Sequence, residues 1–154
     1  MGQQRRAPDR PNAPQRLRDS DLQTIIQGSD IESAQALVKA AKAWGTYLAK
    51  VGLTSSQIRG IFGQVRQIEM NWPPDIDDPE RARRAARDLI LLKPKLVYQA
   101  ARDAEKNKNT QPVRQLEEIL SPAIDLIQED RGKFQRFVDF FEAILAYHRS
   151  AGGK

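Results

Sequence analysis

One stretch near the C-terminus limits what this chain can become. Residues Lys133 to Ser150, KFQRFVDFFEAILAYHRS, hold four of its five phenylalanines. Phe134, Phe137, Val138, Phe141, Ile144, Leu145 and His148 follow one another at steps of three, one, three, three, one and three, the period of a single helix face. Phe140 and Tyr147 extend aromatic surface past that stripe, so the helix needs neighbours on more than one side. The pattern predicts a central helical post, and Gly152 and Gly153 suit its C-terminal closure.

The remaining segments read as helices that could surround it. Ser29-Asp30-Ile31-Glu32 has the form of a capping box and predicts a helix to about Lys50, with Leu37, Ala41, Trp44 and Leu48 inward, Ala34, Val38 and Ala40 beside them, and Gly52 as its end. Thr54-Ser55-Ser56-Gln57 is a second capping box, opening a helix to about Asn71 on Ile58, Ile61, Phe62, Val65 and Ile68. Pro73 and Pro74 with three aspartates form a solvated loop. Asp78-Pro79-Glu80 starts a third helix to about Leu92, which Pro94 breaks or restarts. A fourth runs from Lys95 to Lys106. A fifth runs from Pro112 to Glu129, kinked or divided at Pro122, and Gly132 separates it from the last.

No segment alternates with period two, so the expected fold is all-α: a compact bundle of about five to six helices. At 154 residues one domain is expected, able to bury roughly 68–70% of its unfolded surface. Residues 1–28 are expected as a disordered basic Pro/Arg-rich tail, 29–150 as the bundle and 151–154 as a flexible end. The tail reads as a solubilising leader or as an arm touching nucleic acid.

Chemistry is constrained by what is missing. With no cysteine, disulfides, thiolate metal sites and cysteine nucleophiles are excluded. The single histidine, His148, sits on the apolar stripe and reads as a core or rim residue. Asp75, Asp77 and Asp78 lack the glycine and distal glutamate of a calcium loop. Gly60 and Gly63 flank Phe62 inside a helix and make no phosphate-cradling motif. No catalytic group, cofactor or metal is expected, and the absence of a long apolar run or signal-like start points to a soluble cytoplasmic protein.

The formal charge of +5 is unevenly spread. Residues 1–20 carry +3 of it, and residues 79–108 hold nine basic against four acidic side chains, while residues 112–130 hold one against five. Two stripes stand out. On the second helix Arg59 and Arg66 line up beside Gly60 and Gly63, which allow a backbone to come close or else allow tight helix packing. On the fourth helix Lys95, Tyr98 or Gln99, Arg102 and Lys106 repeat at helical spacing, with Lys93 just before them. Charge for phosphate beside a ring for a base or ribose is what a polynucleotide groove requires. Arg81, Arg83, Arg84 and Arg87 form a third cluster, placed to bind phosphate or to pair with the acidic fifth helix.

Three segments, LTSSQIRGIFGQVRQIE at Leu53–Glu69, LKPKLVYQAAR at Leu92–Arg102 and FVDFFEAILAYHR at Phe137–Arg149, resemble the small subunit of type III-A CRISPR effector complexes, the Csm small subunit. The resemblance covers roughly Ile31 to the C-terminus. It implies a non-catalytic, all-helical protein of antiviral defence, present in several copies within a guide-RNA ribonucleoprotein. Those copies would associate head to tail as a filament beside the other effector subunits. They would contact the backbones of guide RNA and target RNA without reading sequence. Carried over by position, the RNA-binding residues would be Arg59, Arg66, Lys95 and Arg102, followed by Lys93, Arg136 and Arg149. The segregated charge further suggests the acidic fifth helix and the basic third helix as opposite faces of the filament contact. A small subunit of another CRISPR effector class, or a helical protein-interaction adaptor that binds no RNA, stays open as the alternative reading.

Overall fold

The computed structural model describes residues 13–154, and the described residues form six helices and no strand. These are α1 (Asp19–Gln27), α2 (Ile31–Lys50), α3 (Ser55–Asn71), α4 (Pro79–Lys106), α5 (Pro112–Asp125) and α6 (Arg131–Ser150). The fold is all-α as expected, and α6 is its post. Phe134, Phe137, Phe140 and Phe141 are all fully buried. Phe134 stacks on Trp72 and Phe141 meets Phe62 edge-on, with ring centroids 5.0 and 5.1 Å apart.

α2 runs alongside α6 in the same direction, and the two backbones close in at Gly45. A Cβ there would lie 2.6 Å from the Ile144 carbonyl oxygen and 2.8 Å from the Tyr147 Cβ. No side chain fits in that space. The other tight pair is α4 with α5, antiparallel because Asp103 faces Val113 and Lys93 faces Asp125. α3 bridges the two pairs, touching α4 on one side and α6 on the other, and α1 closes the far side over α2, α5 and α6.

Local signals set several helix ends as read. Thr54 accepts from the Gln57 amide while Gln57 accepts from the Thr54 amide, and Asp78 accepts from the amides of Glu80 and Arg81 ahead of Pro79. At the ends of α2 and α6, Gly52 and Gly152 adopt φ +96° and +85°. The following amides of Leu53 and Gly153 then return to the carbonyls of Leu48 and His148, the paired bonds of a Schellman closure. The start of α2 differs from expectation: Asp30, not Ser29, is the cap, accepting from the Ser33 amide, and the Ser33 hydroxyl donates to the Asp30 carbonyl.

Four other expectations are corrected. The tail assigned to residues 1–28 gives way to order from Asp19, since Leu22, Ile25 and Ile26 have helical spacing and are buried; residues 1–12 lie outside the described set. The third and fourth helices are one. Leu89, Leu92, Leu96 and Ala100 keep a single buried register through Pro94, and that proline and Ile90, whose carbonyl it cannot serve, both face solvent. The fifth helix ends at Asp125 with Pro122 inside it, and Gln128 turns the chain at φ 55°. Finally, α6 begins at Arg131 with Asp130 as cap, so Gly132 lies inside it.

Two polar contacts, one buried and one half-buried, fasten α6 to its neighbours. The His148 ring is 1% exposed and its Nε2 lies 2.6 Å from the Leu53 carbonyl; a carbonyl only accepts, so that nitrogen carries the proton. His148 is a core residue. At the other end Arg131 donates to the Trp72 carbonyl and to Gln135, with its guanidinium over the Phe134 ring. Burial pulls the Arg131 guanidinium below its usual range, while Glu69 and Asp139 oppose the shift. Gly153, read as part of a flexible end, receives the Ser55 hydroxyl on its carbonyl.

The approach at Gly45 yields a direct test. Gly45→Ala should lower stability by about 1–3 kcal/mol, the usual cost of overpacking a core, measured by urea unfolding followed by helicity. Unchanged stability would mean that α2 and α6 do not cross this closely.

Candidate nucleic-acid interface

Helical geometry decides which basic residues share a face. α3 packs through Ile58, Ile61, Val65 and Ile68, which leaves Gly60 and Gly63 on its outer side. Among the described residues a Cβ at either glycine would meet nothing within 4 Å. The tight-packing reading of these glycines therefore fails, and a strip of bare helix backbone faces solvent. Arg59 and Arg66 project along one margin of that strip, on the side of Phe62. At the other margin α3 meets α4, whose register puts Lys95, Gln99, Arg102 and Lys106 on the facing edge.

A shallow groove follows this seam. Gly60 and Ser56 line one end with Lys106, and Gln64 lines the other with Lys95 and Tyr98; Gln99 and Arg102 belong to both. Tyr98 is 64% exposed, and the Arg102 guanidinium sits 5.9 Å from its ring centroid. The structure thus places a row of α4 cations and an open ring on one side of the bare strip, and Arg59 and Arg66 on the other. Among the described residues Arg59, Lys95 and Arg102 have no ion pair.

Arg66 is partly committed. It pairs with Glu69 at 2.6 Å and lies over the Phe62 ring. Lys93 is two residues from Lys95 and so about 200° away around the helix. It binds Asp125 of α5, on the far edge of α4. Arg136 points inward and donates to the Ile26 carbonyl at 2.7 Å, anchoring the end of α1. Arg149 is exposed in the last turn of α6, whose end is joined to the start of α3 by the Ser55–Gly153 hydrogen bond. The acidic fifth helix and the arginine cluster are not opposite faces of the molecule. α4 and α5 lie side by side, and Arg83 reaches Glu129 within one chain.

The groove also has an acidic floor, a residue that is not among the candidates read from the sequence. Asp103 is 6% exposed and accepts from Gln57 Nε2 at 3.0 Å, Asn107 Nδ2 at 2.8 Å and the Val113 amide at 3.2 Å. These bonds tie the starts of α3 and α5 to the end of α4. Its signal was present: Leu96, Ala100 and Asp103 continue one buried register, with the aspartate its only charged member. Gln64 was likewise unassigned, and among the described residues the Oε1 of Gln99, part of the fourth-helix stripe, is buried without a hydrogen-bond partner. Among the described residues no three His, Asp or Glu side chains converge as metal ligands. No described helix is long and apolar enough to cross a membrane.

Asp103→Ala should cost about 2–3 kcal/mol, the scale for stranding buried donors of a charged acceptor, read from the urea midpoint. A loss below about 0.5 kcal/mol, the scatter of ordinary surface changes, would show that Asp103 does not hold the three helices together.

A family model described as Csm2 Type III-A matches residues 31–154. No curated protein and no solved structure matches the chain.

Proposed function

The chain belongs to the Csm2 type III-A family, the small subunit of the type III-A CRISPR effector complex, and we propose that the α3/α4 surface is where it holds RNA backbone. The observation that carries this reading is the pair of open glycines between two rows of cations. A phosphate chain can approach a helix most closely where side chains are absent, and Arg59 on one margin with Lys95, Arg102 and Lys106 on the other supply the charge. Tyr98 offers a ring for a base or ribose. The groove is shallow and its cations sit on flexible stems, which suits recognition of backbone without sequence, the specificity being supplied by base pairing to the guide.

Each copy engages few phosphates, so its affinity alone is modest. Copies associated head to tail beside the other effector subunits gain through effective concentration, with no additional contact per copy. In this reading the subunit contributes charge and shape without catalysis, inside the cell where guide and target RNA meet. Arg59, Lys95 and Arg102 are the principal contacts, with Arg66 joining by exchanging Glu69 for phosphate. Arg149 extends the surface toward the end of α6. Lys93 and Arg136 serve the fold.

The test is fluorescence anisotropy of the full chain with single-stranded RNA over a salt series. Each phosphate neutralised contributes a log–log slope of about −0.7. The triple variant Arg59→Ala, Lys95→Ala, Arg102→Ala should flatten the parent slope by about 2, and Lys93→Ala should leave it unchanged. Equal slopes for parent and triple variant would remove this surface from the RNA interface, and no RNA binding by the complex carrying the parent subunit would favour an adaptor.

The glycines separate stability from function. Gly60→Ala and Gly63→Ala should each stabilise the helix by about 0.5–1 kcal/mol. Together they should weaken RNA binding by at least about threefold, or ~0.6 kcal/mol. A stabilised double variant with full affinity would show that the bare strip is not used.

A further inference from the structure

α4 carries a second apolar face that no described element covers. Leu91, Pro94, Tyr98 and Ala101 are all exposed on it, with α5 packed along one side of the helix and α3 along the other. Counting Arg87 before them and Glu105 after them, the steps are four, three, four, three and four. That is the spacing of a coiled-coil seam. Ile90 and Val97, 56% and 48% exposed, flank it on the α5 side, where an apolar margin continues the seam.

We propose that this face seats α4 of a second copy of the chain, running antiparallel about a two-fold axis. The argument is that the seam matches itself when reversed. Turned end for end, Arg87 falls opposite Glu105, Leu91 opposite Ala101 and Pro94 opposite Tyr98. On the flank toward α3, Asp88 falls opposite Arg102, and on the apolar flank Val97 meets Val97. Unlike charges therefore meet at both ends, twice each by symmetry, and each large side chain meets a smaller one. An isologous contact demands this self-complementarity; a seat for an unrelated partner does not. Among the described residues neither Arg87 nor Glu105 has an ion pair within its own chain. Lys95 meets Lys95 near the axis, and the apolar part of the seam, Leu91 to Ala101, is only about three turns long, so the association is weak, with a dissociation constant of roughly 10–100 µM. This inference concerns the free protein and does not rest on the RNA reading.

Sedimentation velocity of the full chain across the micromolar range tests it, with far-ultraviolet circular dichroism to verify that each variant is folded. The parent should pass from monomer to dimer. Val97→Lys, which sets like charges together at the axis, should weaken the dimer roughly tenfold or more, and Arg87→Glu and Glu105→Arg singly should do the same. The double variant Arg87→Glu, Glu105→Arg restores unlike pairs in the reversed sense and should return to within about threefold of the parent. A parent that stays monomeric overturns the proposal. So does a dimer indifferent to these substitutions, or a double variant no better than either single one.

Discussion

The arrangement depends on the place where α2 and α6 come together at Gly45. α6 carries four phenylalanines that are fully buried, and a helix with aromatic surface on several sides is stable only when enclosed on several sides. α2 covers one side, and it can do so closely because residue 45 has no side chain to hold the Ile144 backbone away. α3 then brings Phe62 and Trp72 to another side, and α1 lays Leu22, Ile25 and Ile26 over part of what remains. Lifting α2 outward by a methyl group would loosen each of these contacts in turn, since a close-packed interior transmits displacement.

Apolar burial alone would not fix how the helices slide along one another. Buried and half-buried polar contacts do that. His148 measures α6 against the turn after α2 at Leu53, Arg131 measures it against the end of α3 at Trp72, and Asp103 sets the starts of α3 and α5 against the end of α4. Each joins a side chain to a helix terminus, where backbone groups lack internal partners. Because an unpaired buried group is costly, a shift of one turn at any of these points is strongly disfavoured. The seam bearing the groove is therefore held in register by Asp103 directly beneath it.

Much of the fold was legible where local chemistry decides, although Asp30 took the capping role read for Ser29. The spacing of the phenylalanines, the Thr54–Gln57 box and the Asp78–Pro79 start are all short-range signals, and the structure follows them. Where neighbours decide, the sequence misled. Pro94 reads as a break, yet buried residues on both sides of it keep one register and hold the helix through. Leu22, Ile25 and Ile26 had the right spacing but sat in a polar, arginine-rich context, and their burial depends on a surface that α2, α5 and α6 provide together. Gly45 carries no signal of its role in the sequence, and only the nearby Ile144 backbone reveals its use. For the candidate interface the limit is sharper. Arg59, Lys93 and Arg136 are alike as sequence, and what separates an open cation from a pinned one is whether an Asp125 or an Ile26 carbonyl lies within reach.

α4 brings these themes together, because its circumference is divided among different tasks. One edge is core, one binds α5 through Lys93, one forms the groove, and the last is the exposed seam. Groove and seam are adjacent, and Tyr98 and Arg102 belong to both. A ring stacked against a base cannot also pack on Pro94 of a second copy, and a guanidinium holding phosphate cannot also pair with Asp88 across a two-fold axis. If RNA and a second copy both use α4, they compete for it, and the occupant is set by local concentration rather than by contact quality alone. Free subunits would then cover part of each other's groove, and release it where the other effector subunits present RNA at high effective concentration. A single helix face would thereby keep a cationic surface from unselective polyanion binding until assembly supplies the intended one.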